Sequence, residues 1–433
     1  MLHKDPHVLF DSYRRPAEVP GHRSFLRRAR QQRERQCEIG SQLALAAFLV
    51  ASLVDRMLRA TGDDDDTEGY RWQLRSTRHF VDELPGSHAE RAHLVALIDA
   101  MDQAVPPPQR AVVRMSLVAY AYFLNQEARL EDALDMLELA ARTHDGGCPA
   151  EEYASIAMFV GRVNRKLAHF PAAERAYREA QLTAEALGDQ RTVLFSQLGM
   201  ANLHRSTGDL ARSQDLVEDV LARCDSPKLA DVRSAAYSDL SAVFERQGRR
   251  IEAVATEYQA FVIAVDDTSR WRTLANLGAS LVGIGEYAAA RYALEVVAAR
   301  SDVFDSRTNA VIELLGLASA VQDELGFRRN LREAEGRVEA MPPSMAVDFH
   351  YQAGVGMARF GHLSRAREFL VTAMELAEAH RLNTWYFKVE RVMRGLAACP
   401  EVEPGPEVEH SPWHTPDLRE VTSGLQEFAT ANL

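Results

Sequence analysis

Apolar residues along this chain recur on a helical period, and nowhere do they alternate as a half-buried strand requires. The stretch LGASLVGIGEYAAARYALEV, residues 277–296, shows the pattern plainly: two short amphipathic runs flank Gly285, with small residues at Gly278 and Ala290. The same set returns as a small residue, a turn residue seven positions later and a second small residue five beyond that. The copies are Ala121/Ala128/Ala133, Gly161/Ala168/Ala173, Ala201/Gly208/Ser213, Ser241/Gly248/Ala253, Gly278/Gly285/Ala290 and Gly354/Gly361/Ala366. A degenerate copy, Ser319/Gly326/Leu331, fills the remaining gap. Successive starts lie 40, 40, 40, 37, 41 and 35 residues apart, the period of a helical repeat array.

Each position has a mechanical reason. Two antiparallel helices approach closely only where both present small side chains, so the small pair marks their crossing point. Gly285 ends the first helix, where a left-handed backbone is open to glycine and strained for residues with a Cβ. Two residues on, Phe170, Leu210, Tyr287 or Leu363 can plug the hairpin. Ala140, Ala180, Val220, Ala260, Val297 and Ala373 then line a face of the second helix that must meet the next hairpin. A single hairpin cannot bury both faces, so the array stacks.

These residues resemble the tetratricopeptide repeat, with AHFPAAERAYREA and GIGEYAAARYALE close to its usual pattern. The resemblance covers residues 110–397 as seven hairpins and a closing helix around NTWYFKVERVMRGL. It implies an all-α, right-handed superhelical solenoid. Three features depart from the family: the long spacing, Arg250 at the plug position of the fourth copy, and Glu257 where an aromatic is usual. The long spacing resembles that of bacterial signal-binding regulators, in which a helical array senses a peptide or small ligand and controls a partner.

In the family resembled, first helices line a concave groove, so residues one, four and five places after the first small residue should face it. These are Tyr122, Asn125 and Gln126; Arg162, Arg165 and Lys166; Asn202 and Arg205; and Glu245 and Arg246. They offer amides beside a positive strip. An asparagine such as Asn202 can both donate to and accept from an extended peptide backbone, and arginine suits a carboxylate through its two-pronged donor geometry. The competing reading is a wet, charged face.

The rest of the chain divides around the array. Residues 1–21 carry Pro6, Pro16 and Pro20 without apolar periodicity and read as a loose arm. Residues 22–104 hold three helical patterns, broken by GDDDDTEG and LPGS and ended by PPP, and read as a small bundle. Within it LALAAFLVASLV, residues 43–54, is a run of a dozen residues broken only by Ser52, short of the roughly 20 that a spanning helix needs. It starts too late for an ordinary signal peptide and reads as a buried bundle helix. Residues 398–433 form an acidic, proline-rich linker and a helix with Leu418, Val421, Leu425 and Phe428 on one face. That helix either caps the end of the array or docks as a tethered ligand in the groove.

Composition sharpens the reading mainly by exclusion. A net charge of -12 over 433 residues argues against a surface built for nucleic acid. The basic cluster Arg23, Arg27, Arg28, Arg30, Arg33 and Arg35 is unaccompanied by a helix-turn-helix or zinc ligands, and reads as a solvated face or a partner-binding patch. Cys37, Cys148, Cys224 and Cys399 lie far apart without a C-x-x-C pair, suiting a reducing cytoplasm. Asp63 to Asp66 lack the alternation and closing glutamate of a calcium loop. His88 and His93 are spaced wrongly for H-E-x-x-H and read as surface residues. Gly283 and Gly285 lack a third glycine and a preceding strand, and Cys148 has no histidine that sequence can place beside it. No metal, cofactor or catalytic set is expected. The expectation is a non-enzymatic scaffold or sensor whose groove binds an acidic peptide or protein segment, or a regulator whose N-terminal bundle contacts an effector.

Overall fold

A computed structural model of the protein describes residues 21–59, 67–103, 110–143, 150–380, 382–398 and 416–432. The N-terminal arm, the aspartate run at 63–66, Cys148, Cys399 and the acidic linker lie outside the described residues. Within them every regular element is helical. The chain divides into two compact units, the first comprising residues 1–125 and 129–169, the second 126–128 and 170–433.

In the first unit, α1 (Arg23–Glu34), α2 (Glu38–Arg59), α3 (Thr67–Asp82) and α4 (Ala89–Gln103) precede α5 (Arg110–Gln126), α6 (Leu130–Arg142) and α7 (Ala150–Lys166). The expected three N-terminal helices are four, because the chain breaks at Gln36, which takes a left-handed φ of 59°. Helix α2 is 22 residues long because polar residues extend the apolar run at both ends. It is long and apolar enough to cross a membrane, yet 56% of its most apolar 18 residues is buried inside the protein. Leu43, Ala46, Ala47, Val50 and Val54 form that buried face.

Two members of the basic cluster are paired within this unit, Arg27 with Glu131 at 2.8 Å and Arg30 with Glu34 at 2.9 Å. Arg129, at the first hairpin turn, bonds Glu90 at 2.6 Å and Asp132 at 2.8 Å, while the Tyr120 hydroxyl donates to Glu90 at 2.6 Å. All four residues are buried, and together they tie α4, α5 and α6. His93 is not a surface residue as expected: it is half-buried, its ring 4.9 Å from that of Phe123 and 5.8 Å from that of Tyr120.

The second unit contains α8 (Phe170–Leu187), α9 (Gln190–Thr207), α10 (Leu210–Ala222), α11 (Ala230–Arg246), α12 (Arg250–Val262), α13 (Asp267–Gly283), α14 (Tyr287–Arg300), α15 (Phe304–Ala320), α16 (Glu324–Glu335), α17 (Pro343–Arg359), α18 (Leu363–Ala379), α19 (Asn383–Ala398) and α20 (Pro416–Asn432). Each second helix packs against the first helix of the next hairpin, and first helices also meet between α9 and α11 and from α13 through α19.

Seven turns repeat one geometry. Ala128, Ala168, Gly208, Gly248, Gly285, Gln322 and Gly361 all have positive φ. The amide of the following residue donates to the carbonyl five back, as in His169→Asn164 at 2.9 Å, Glu286→Leu281 at 3.0 Å and His362→Met357 at 2.8 Å. This bond satisfies a carbonyl orphaned at the helix end. The left-handed residues lie 40, 40, 40, 37, 37 and 39 apart. The sixth copy therefore stands four residues from its expected register: Leu315/Gln322/Phe327 replaces Ser319/Gly326/Leu331. Bulky residues occupy both nominally small positions there. Room for Phe327 comes from Gly356 on α17, where a Cβ would stand 2.0 Å from its ring.

The small pairs do mark the helix crossings. Ser213 Oγ donates to the Ala201 carbonyl and Ser241 Oγ to the Ala253 carbonyl, each at 2.8 Å and each joining the two members of a pair. At the fifth and seventh hairpins, a Cβ on Gly278 or Gly354 would stand 2.6 Å from Leu294 or 2.7 Å from Leu370. Arg250, the missing plug, instead donates to the Gly283 carbonyl of the next hairpin at 3.2 Å.

The C-terminal helix takes neither expected position. It packs against α12 and α14, the second helices of hairpins four and five. Leu418, Val421 and Leu425 join the buried cluster containing Val254, Phe261 and Leu294. Phe428 meets Phe261 edge-on at 5.1 Å. Gly424 leaves space for Tyr258, whose hydroxyl would stand 2.1 Å from a Cβ there.

Candidate functional site

The expected groove residues fall in both units, and each group is positioned by its own helices. In the first unit, Lys166 Nζ on α7 donates to Asn125 Oδ1 on α5 at 2.8 Å. Tyr122, 53% exposed, meets Phe159 edge-on at 6.4 Å. The Arg162 guanidinium lies 5.9 Å from the centre of the Phe159 ring, within reach of a cation–π attraction. Arg165 is half-buried one turn further along α7, and Gln126 is half-buried at the end of α5.

Arg162, Arg165 and Lys166 thus crowd three cations onto the last turn of α7. Partial desolvation of the Lys166 ammonium, then the charges of Arg162 and Arg165, lower its pKa to about 8. The residue as a whole stays exposed, and the desolvation belongs to the nitrogen drawn in against Asn125. A cation whose proton is loosened by two neighbouring cations marks a locally positive field.

In the second unit, Asn202 and Arg205 on α9 are half-buried and Arg246 on α11 is exposed. The Asn202 amide is already engaged on both sides. Its nitrogen donates to Asp239 on α11 at 2.9 Å and to the Leu198 carbonyl at 3.1 Å, while its oxygen accepts from Arg205. Asn202 therefore holds α9 to α11 in this state, and clamping a peptide backbone requires exchange of these bonds. Glu245 accepts from Ser280 on α13 at 2.7 Å.

Sequence reasoning passed over a row of carboxyls in the same unit. Glu257, where the family places an aromatic, is 2% exposed between three helices. It accepts from Ser238 on α11 at 3.0 Å and from Asn276 on α13 at 3.2 Å, and burial raises its pKa to about 7 against these bonds. Glu313 on α15 and Asp348 on α17 interact electrostatically with each other and with Lys388 on α19. Desolvation raises Glu313 to about 7, with the Asp348 charge adding to it, and raises Asp348 to about 6. Lys388 Nζ stands over the Trp385 and Tyr351 rings at 4.3 and 4.4 Å from their centres. Only Glu257 carried a sequence signal, as a departure from the repeat pattern. Among the described residues no group of three or more His, Cys, Asp and Glu side chains could hold a metal ion.

No protein-family model matches the chain, and no curated protein does. Among solved structures it is similar to the Rap conjugation gene regulator of the plasmid pLS20 in complex with the Phr* peptide, at 12% identity and a TM-score of 0.50 over 78% of this chain and 97% of that one. It is similar also to NprR in complex with its cognate peptide NprX, at 10% identity and a TM-score of 0.45 over 87% and 99% of the respective chains. A Rap protein complexed with Competence and Sporulation Factor matches at 11% identity and a TM-score of 0.44 over 78% and 98%. The likeness is one of fold: the chain is a TPR-like helical repeat protein.

Proposed function

We propose that this protein is a non-enzymatic, cytoplasmic peptide sensor that binds an acidic peptide or protein segment along its first helices. The observation that carries the reading is the crowding of Arg162, Arg165 and Lys166 on one turn, with Lys166 lowered to about 8 by desolvation and by its two neighbours. A ligand carboxylate relieves that repulsion, and Tyr122 and Asn125 stand beside it to contact backbone and side chains. Asn202, Arg205 and Arg246 form a separate candidate set in the second unit. The regulator of similar fold, solved with a peptide, supports this class of ligand by analogy only.

The test is capture of a fluorescein-labelled pool of Asp- and Glu-containing hexapeptides by the full chain. Arg162→Glu/Arg165→Glu should abolish capture with helical content unchanged, and wild-type capture should weaken with salt. Because a bound carboxylate raises the Lys166 pKa, binding above pH 8 should take up protons. Calorimetry in two buffers of different ionisation enthalpy reads that uptake. Capture that survives the double reversal refutes the assignment.

A second reading extends the first, with the N-terminal bundle contacting an effector. It is favoured by an apolar stripe on α2, where Ile39, Leu45 and Leu49 are 47%, 39% and 38% exposed. Such residues on one face mark a candidate partner surface.

A further inference from the structure

Hairpins six and seven of the second unit enclose a cavity of about 450 Å³ between α16 and the turn that joins α17 to α18. Its lining falls into two parts. Phe327 and Leu331 on α16, Met357 on α17 and Phe360 at the end of that helix make an apolar floor, the first three buried and Phe360 half-buried. The Phe327 and Phe360 rings lie 5.2 Å apart and tilted by 55°. The rim is charged and exposed: Arg328 and Arg332 on α16, and His362 and Arg365 where α18 begins. Glu324 and Glu335 complete it.

Charge does not balance across this rim. Glu324 is already paired with Arg328 and stands 4.0 Å from His362 Nε2. Arg332 donates through Nε to the Arg328 backbone carbonyl at 3.3 Å, which engages one of its three nitrogens. Among the described residues neither Arg332 nor Arg365 closes an ion pair. Three guanidiniums thus face two carboxylates in a protein whose net charge is -12. Helix α18 opens here without a side-chain cap on its first amides, and the partial positive charge of a helix N-terminus adds to the excess.

We infer that this cavity receives a small organic acid, a carboxylate carried on an apolar body of one or two rings. Its volume lies within the range of about 300–1,000 Å³ usual for small-ligand sites, which combine an apolar lining with a few convergent polar groups. A cavity of about 150 Å³ accepts one benzene ring, so this one has room for two fused rings and a short acid arm. The rings cover the floor and are driven there by the apolar surface they bury. The carboxylate meets Arg332 and Arg365, whose planar donor forks match its two oxygens. A neutral ligand of the same shape leaves those forks unused, and a cationic one is repelled. None of the expected groove residues lines the cavity, so the inference does not depend on the peptide reading.

The probe is naphthylacetate, titrated into the full chain and followed by ligand-observed saturation-transfer NMR, with naphthylacetamide and naphthylethylammonium as its neutral and cationic counterparts. The acid should bind saturably, the amide at least fivefold more weakly, and the ammonium more weakly still. Arg332→Gln/Arg365→Gln should weaken the acid at least tenfold and leave the amide within twofold, a split that loss of structure would not produce. Both residues are exposed, so the fold survives the change. Glu324→Gln should act in the opposite direction, tightening the acid severalfold by freeing Arg328. Absence of saturable binding, equal binding of acid and amide, or an acid affinity unchanged in the double variant overturns the inference. Acid binding that is lost instead in Arg162→Glu/Arg165→Glu overturns it too, by assigning the anion to α7. A short peptide ending in naphthylalanine with a free carboxylate is the last arm. Tighter binding of that peptide than of the acid moves the cavity to a peptide terminus and overturns the small-acid assignment, whereas weaker binding upholds it. Hexapeptide capture on α7 involves none of these residues, so the two readings stand or fall separately.

Discussion

Replacing Gly278 by alanine probes the repeat architecture with a single methyl group. On α13 the added Cβ would stand 2.6 Å from Leu294 Cγ and Cδ2, whereas ordinary contacts begin near 3.4 Å. The clash is with the branch point of Leu294, not with a freely swinging tip. Leu294 is fully buried in a cluster with Val254, Leu277, Leu281 and Ala290, so relief requires α13 and α14 to part or Leu294 to leave its rotamer. Alanine itself favours the helix by about 1 kcal/mol over glycine, and overpacking of this kind costs about 1–3 kcal/mol. Gly283, on the same helix, is the internal control: nothing lies within 4 Å of its added Cβ and its φ is not positive. Gly283→Ala should therefore show the propensity gain without the clash, leaving Gly278→Ala less stable than Gly283→Ala by about 1–3 kcal/mol. Urea denaturation followed by circular dichroism measures both variants on one scale. Equal midpoints and equal slopes would refute the crossing-point role of the small residue.

Two further outcomes follow from other packing features. Glu257 has a pKa raised to about 7 by burial, above its unfolded value near 4.5, so the native state binds the extra proton between these limits and stability falls as pH rises from 4.5 to 7. Glu257→Gln should remove that slope and stabilise the protein at pH 8 by up to about 3 kcal/mol, and a denaturation midpoint with unchanged pH dependence would count against a neutral-favouring site. Leu425→Ala should destabilise by about 2–4 kcal/mol through loss of a buried side chain while leaving peptide affinity unaltered, because α20 lies on second helices; affinity that rises in this variant would restore the tail as a groove occupant.

Much of the fold could be read from residue spacing because the crossing and turn positions impose local demands. Gly278 and Gly285 must be small or left-handed whatever surrounds them. The sixth hairpin escaped that logic: its crossing is filled by Leu315 and Phe327, and the space Phe327 needs is provided by Gly356, 29 residues on and on another helix. Gln36 breaks α1 from α2 without a glycine or proline to announce it. The amphipathic face of α20 was legible, but periodicity specifies that a face is buried and not what buries it. The basic turn of α7 follows directly from the repeat register. Glu313 and Asp348 look in sequence like any charged residues of a solvated helix, and only packing reveals that they are half-buried.

The seat of α20 alters how the chain can be assembled. A linear array of repeats needs only neighbouring hairpins for its completion, and each could in principle mature as it leaves the ribosome. Here Phe261 waits for Phe428, a partner that arrives after every other hairpin has been synthesised. Hairpins four and five consequently emerge with an uncovered apolar strip along Val254, Tyr258 and Leu294, and they keep it until α20 folds back. Closing so long a loop slows the last step and prolongs exposure to aggregation. Hairpins four and five are thus the last to be finished, and a chain lacking α20 would keep their helices with an open wound along α12 and α14.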